Sequence, residues 1–131
     1  MDRKKTVMIC DDEIDLLEMF QLALAGEYKI LTADSGKGCI ETYFEEKKVK
    51  GEKIDILLLD YRLGDMQGDT VAKKVEELND VKIIMISAYE LDGNIVEELK
   101  RSRYIVDVIK KPVSMKSLIE KIESFLTERA A

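Results

Sequence analysis

Five short apolar runs lie along the chain at fairly even intervals, with helix-patterned segments between them: TVMIC (6–10), YKILT (28–32), KIDILLLD (53–60), KIIMIS (82–87) and YIVDVI (104–109). Runs of this length and β-branched content read as strands. Strands that alternate with amphipathic helices pair in parallel, through right-handed crossovers that cover both faces of the sheet. The third run is apolar almost throughout, as a strand buried on both faces should be. The first helical segment, IDLLEMFQLALA, puts Ile14, Leu17, Phe20 and Leu24 on one stripe. The last, SMKSLIEKIESFL, carries the clearest stripe, with Met115, Leu118, Ile119, Ile122 and Phe125. Residues 36–48 and 69–78 are expected helices as well. The segment 92–102 is the weakest of the five, anchored by Ile95, Val96 and Leu99.

Five such β/α units in 131 residues fit one domain, 1–131, with its core over about 6–128. The chain is too short for an eightfold β/α barrel. No Gly-rich dinucleotide fingerprint follows the first strand. The expected architecture is therefore α/β, a flavodoxin-like doubly wound parallel sheet of five strands in the order 2-1-3-4-5, with five helices. Ligands of such sheets bind beyond the carboxyl ends of the strands, near the switch point between strands one and three.

Composition narrows the chemistry. Histidine is absent, which excludes histidine acid–base catalysis, a Ser-His dyad and histidine metal ligands. The two cysteines, Cys10 and Cys39, stand too far apart in sequence for a zinc motif and lie in apolar-patterned stretches, so they read as buried free thiols. A reducing cytoplasm suits them. The apolar run behind the basic N-terminus is too short for a signal peptide or a membrane span, so no membrane insertion is expected. A net charge of −6 argues against direct nucleic-acid binding. Residues 1–69 carry 10 Lys and Arg against 16 Asp and Glu, whereas residues 70–131 carry 11 against 11. The excess negative charge thus sits in the first half, where it suits either a cation site or a solvated acidic face.

The strand ends supply the candidates. Strand one ends in Asp11, Asp12 and Glu13, strand three in Asp60, strand four in Ser87, and strand five in Lys110 and Lys111 before Pro112. Each alone has an ordinary explanation: a helix cap for the aspartates, a turn for Asp60, a cap for Ser87, a solvated surface lysine for Lys111. In the order 2-1-3-4-5 they converge on one rim. Carboxylates held together there repel, by about 4 kcal/mol for two charges 4 Å apart at an effective dielectric near 20. A cation relieves that repulsion, and hard oxygen ligands without His or Cys specify Mg²⁺ or a similar ion. A lysine opposite the acids and a nearby hydroxyl suit the oxygens of a phosphoryl group.

With ICDDE at 9–13, LLLDYRLGDMQG at 57–68, ISAY at 86–89 and KKP at 110–112, the chain closely resembles the receiver domain of two-component response regulators along essentially its whole length. The resemblance implies that Asp60 is the phosphoacceptor and that Asp11 and Asp12 hold Mg²⁺ together with Asp60. It also implies that Arg62 lends its backbone carbonyl to the metal, that Ser87 is the switch hydroxyl, and that Lys111 contacts the phosphoryl group. Arg62 and Tyr89 would flank that group and set its lifetime, Ala88 would leave room for it, and the Lys111–Pro112 bond would be cis. Two positions depart from the family pattern. Gly64 stands where a proline is common, which predicts a looser loop. Val108 replaces the usual aromatic switch residue, and a valine cannot make the inward ring swing.

The function so implied is a phosphorelay receiver: a sensor histidine kinase or phosphotransfer protein supplies the phosphoryl group, and a surface for a downstream protein target carries the output. A receiver cut from a longer DNA-binding regulator is the near alternative, and a receiver-like module that works unphosphorylated is another. An FMN-binding electron carrier would need a phosphate loop rich in hydroxyls and amides, where this chain has the repelling CDDEID. A Mg²⁺-dependent phosphohydrolase with an Asp nucleophile would need a second acid two residues on, where this chain has Arg62.

Overall fold

The computed structural model describes residues 4–78, 80–88 and 91–127. The strands are β1 (Thr6–Cys10), β2 (Lys29–Ala33), β3 (Ile56–Asp60), β4 (Lys82–Ser87) and β5 (Ile105–Lys110). The helices are α1 (Ile14–Leu24), α2 (Gly36–Phe44), α3 (Gly68–Glu76), α4 (Gly93–Lys100) and α5 (Met115–Thr127), and α2 continues into a π-helical stretch over Glu45–Val49. All the strands pair in parallel, in the order β2-β1-β3-β4-β5. The expected strand order and helix count are both met.

Alternation along the strands divides the interior in two. Val7, Ile9, Ile56, Leu58, Ile84 and Ile86 point to one face and pack with Leu17, Phe20 and Leu24 of α1 and Leu118 and Ile122 of α5. Met8, Cys10, Leu57, Leu59, Ile83 and Met85 point to the other, against Cys39 and Tyr43 of α2, Val71, Ala72 and Val75 of α3 and Leu99 of α4. The α1 stripe holds except at its first member: Ile14 is 52% exposed, because it opens the helix at the rim of the sheet rather than over it. Cys10 and Cys39 are buried free thiols, as expected. Contact with Cys39, together with burial, pushes the Cys10 thiol pKa far up, so it packs as a neutral group.

Register decides which side chains meet at the rim. Cys10 pairs with Leu59, so the next residues, Asp11 and Asp60, stand side by side at the ends of β1 and β3. Asp60 pairs with Ile86, which sets Ser87 one step beyond. Between β4 and β5 the register shifts at Ile83/Ile84: Ile83 faces Ile105, but Ile84 faces Asp107. The extra residue, Val106, is a bulge. It makes Lys110 the partner of Ser87 and leaves Lys111 as the first residue past the ladder, with its N–H donating to the Ser87 carbonyl at 2.7 Å. Without that shift Lys110 would occupy the place of Lys111. The Lys111–Pro112 bond is cis.

Candidate functional site

Asp11, Asp12 and Asp60 each offer a carboxylate oxygen within 4.8 Å of the other two. Asp11 and Asp60 are buried, while Asp12 is exposed at the mouth. The local chain explains the difference. Asp11 extends the β1 ladder, its N–H donating to the Ala33 carbonyl at 3.1 Å, and its carboxylate turns back to accept the Glu13 N–H at 2.9 Å. That bond shapes the exit from the strand into α1 and leaves Asp12 facing out.

Lys111 reaches into the cluster from β5. Its ammonium lies 2.9 Å from Asp11 Oδ2, 3.1 Å from Glu13 Oε1 and 3.3 Å from Asp60 Oδ2, with the side chain only 10% exposed. Burial works against its charge, but the contacts with Asp11 and Glu13 reverse this and hold its pKa well above the ordinary lysine value. Asp60 moves the other way. Burial first and the neighbouring Asp11 charge second raise its pKa to about 6, against the opposing pull of Lys111 and of the Arg62 N–H that faces Oδ1 at 3.4 Å.

A cavity of about 280 Å³ opens over these groups, lined by Asp12, Glu13, Asp60, Arg62, Ala88 and Lys111. It is a hydrophilic cleft with a carboxylate at its base and an ammonium at its side, which can hold a hydrated cation and a small anion together. The donor set is all oxygen, with charge in excess of what one lysine offsets, so it fits a hard divalent ion such as Mg²⁺. Asp11 and Ser87 are each 2% exposed and lie behind the lining of the cleft, and Ala88 forms the wall next to Ser87 at the end of β4. Arg62 is exposed at the cleft edge. Val108 is half-buried on β5 and packs against the α2–α3–α4 side of the core. Tyr89 lies outside the described residues.

Two contributors carry no assigned role in the sequence pattern. Glu13 was visible in DDE as a third acid, but its contact with Lys111 follows only from the turn built on Asp11. Gly68 begins α3 directly beneath Asp60. A Cβ there would stand 2.5 Å from the Asp60 carbonyl oxygen and 2.9 Å from the Met85 sulfur and the Tyr61 Cα. No other residue fits without moving the end of β3.

Residues 7–123 match the sequence family described as the response regulator receiver domain. The chain belongs to that family. The receiver domain is 32% identical over 127 residues to the phosphate regulon transcriptional regulatory protein PhoB of Pseudomonas aeruginosa, covering 93% of this chain and 52% of that protein. It is 30% identical over 125 residues to a putative transcriptional regulator of Haloferax volcanii, covering 94% of this chain and 19% of the other. The chain thus spans about half or less of the length of these relatives. Among solved structures it resembles a CheY-like response regulator receiver domain from Methanospirillum hungatei, with a TM-score of 0.81 and 27% identity over 95% of this chain and 94% of that one. Receiver domains work with kinases and effectors and are not in general catalytic enzymes. Among the described residues no helix is long and apolar enough to cross a membrane.

Proposed function

We propose that this receiver takes a phosphoryl group onto Asp60 from a phosphohistidine on a sensor kinase or phosphotransfer protein, in a Mg²⁺-dependent reaction. The observation that carries this reading is the convergence of Asp11, Asp12, Asp60 and Lys111 on one cleft. A carboxylate oxygen of Asp60 attacks phosphorus in line, the phosphorus–nitrogen bond of the donor breaks, and the imidazole leaves with the electron pair. A pKa of about 6 leaves Asp60 mainly ionised at neutral pH, as a nucleophile must be. Lys111 exchanges a carboxylate for a phosphoryl oxygen, offsetting charge where it develops. A bound Mg²⁺, held by Asp11, Asp12, Asp60 and the Arg62 carbonyl, would neutralise the remaining negative charge.

Ser87, buried beside the cleft, must shift to bond the phosphoryl group. That movement, with the added charge of about −2, biases the surface around α4, β5 and α5 toward a downstream protein target. Val108 makes the coupling a repacking of small side chains rather than a ring swing. Chemistry is confined to the protein's own phosphorylation and dephosphorylation, in a reducing cytoplasm that keeps Cys10 and Cys39 as thiols, with no direct contact to nucleic acid. Because the relatives are transcriptional regulators that this chain spans only in part, a receiver joined to an effector in a longer regulator is the second reading. Acetyl phosphate with Mg²⁺ should add one phosphoryl group by intact-mass spectrometry, and Asp60→Asn should add none. Full labelling of the Asn variant overturns the assignment.

A further inference from the structure

The loop between β3 and α3 forms one wall of the cleft, and its tip rests on a glycine. Gly64 has φ +80°, a conformation that glycine adopts freely and other residues rarely do. A Cβ on Gly64 would stand 3.7 Å from Asp12 Oδ2, so the tip lies against the exposed carboxylate of the cluster. Inside the loop the bonds are local: Leu63 N–H to the Met66 carbonyl at 3.1 Å, Asp65 N–H to the Leu63 carbonyl at 2.9 Å, and a bridge pairing Arg62 with Gln67. These shape the loop without fixing where its tip stands.

Leu63 is buried in the core at the start of the loop, and the polar tie beyond it is Asp65. Its carboxylate accepts the Gly36 N–H at 2.9 Å and the Lys37 N–H at 3.0 Å, at the start of α2. Those two amides draw the carboxyl pKa down. Ser35 Oγ takes the Gly38 N–H at 2.9 Å, so the first turn of α2 is capped by two side chains, one from its own strand exit and one from the β3–α3 loop. Met66 completes the seat. A Cβ on Gly36 would lie 2.3 Å from its Cγ and 2.7 Å from its sulfur, so the glycine leaves space that the methionine fills. Among the described residues, the hydrogen bonds from positions 63–66 to another element are the two made by Asp65.

We propose that Asp65 is a positioning residue for the cation site: it straps the β3–α3 loop to α2 and so holds the Gly64 tip and the Arg62 main chain against Asp12 and Asp60. The proposal rests on the reading of that cluster as a Mg²⁺ site. It also revises the expectation of a looser loop, since the stiffness missing at Gly64 comes from the bridge at the next residue. Ser35 gives the control, because Ser35→Ala uncaps the same helix without touching the loop.

Mg²⁺ binding measured by calorimetry on the full chain should weaken about tenfold in Asp65→Ala, the effect of losing a group that supports a metal ligand. Asp65→Asn, whose single side-chain oxygen can accept only one of the two α2 amides, should recover part of that loss. Ser35→Ala should lower the melting temperature but leave Mg²⁺ affinity at the wild-type value. Amide hydrogen exchange at Leu63 and Asp65, measured without metal, should speed in Asp65→Ala and not in Ser35→Ala. Wild-type affinity in Asp65→Ala, or equal weakening in Ser35→Ala, overturns the proposal. A wild-type chain that binds no Mg²⁺ overturns the cation site itself, and the two failures are told apart by the wild-type titration.

Discussion

Asp60→Asn should stabilise the metal-free protein. Folding carries the Asp60 carboxyl from an ordinary value of 3.8 to about 6, chiefly through burial. The folded form therefore binds this proton more tightly than the unfolded form. Between those two values the native state is protonated and the unfolded state is not, so stability falls as pH rises through that window and stays low above it. A shift of roughly two units corresponds to about 3 kcal/mol at 1.36 kcal/mol per unit. Asparagine is nearly isosteric, keeps an oxygen for the Arg62 N–H and removes the titration. Lys111 keeps Asp11 at 2.9 Å and Glu13 at 3.1 Å in the variant. Losing its third partner trims the net gain to about 2–3 kcal/mol at neutral pH, on the order of 10 °C in melting temperature for a domain of this size. Urea unfolding with a chelator present should show the gain near pH 7.5 and its loss as pH falls below 3.8, where Asp60 is protonated folded and unfolded alike. Saturating Mg²⁺ should shrink the difference, because only the wild type keeps all three acidic ligands. An Asn variant no more stable than wild type near neutral pH would refute the charge-strain account. A gain of equal size at both pH values would assign the effect to packing instead.

The same site makes two further predictions. Asp12→Ala should weaken Mg²⁺ binding at least about tenfold, since an exposed charged oxygen ligand is worth more than about 1.4 kcal/mol to a hard ion; unchanged affinity by titration would remove Asp12 from the ligand set. Arg62→Ala should speed loss of the phosphoryl group several-fold at unaltered Mg²⁺ affinity, because the side chain stands at the edge of the cleft through which an in-line water must come. Identical decay of the labelled wild type and variant would show that Arg62 points away into solvent.

Much of this arrangement was legible because the residues that carry it obey local rules. The runs TVMIC and KIIMIS match β1 and β4 to the residue, since each holds an unbroken apolar stretch, Val7–Cys10 and Ile83–Ile86, bounded by polar residues. Asp11 and Asp60 were predictable neighbours once the strand order was fixed, because parallel pairing makes the ends of β1 and β3 coincide. The rest depended on contacts distant in sequence. KIDILLLD reads as a strand from residue 53, but pairing begins at Ile56, where the chain first reaches both neighbours. The bulge at Val106 leaves no trace in YIVDVI, yet it selects Lys111 over Lys110. Asp65 reads as one more turn residue in RLGDMQG until α2 is seen 28 and 29 positions away. Ser87 was placed at the end of β4 by the strand pattern, but its burial to 2% exposure was not legible there, because strand position does not say whether a hydroxyl lines a cleft or lies beneath it.

Charge at the rim also orders the events of the proposed reaction. Asp11, Asp12, Glu13 and Asp60 set four carboxylates against the ammonium of Lys111 and the exposed guanidinium of Arg62 at the cleft edge. Turning the Asp60 carboxylate into an acyl phosphate removes one negative charge and adds about two. Without a cation the cleft would grow more negative as the product formed, and the incoming dianion would be repelled before it reached Asp60. A divalent ion bound first would, with Lys111 and the exposed Arg62 at the cleft edge, offset the four acids, so that the phosphoryl group would meet a nearly neutral cleft. Such a charge beside Asp60 would also remove the reason for it to hold a proton and keep the carboxylate ionised as a nucleophile. Cation before phosphoryl group is thus the order the electrostatics favour, with Lys111 as the counter-ion that keeps the buried pair, Asp11 and Asp60, tolerable until the cation arrives.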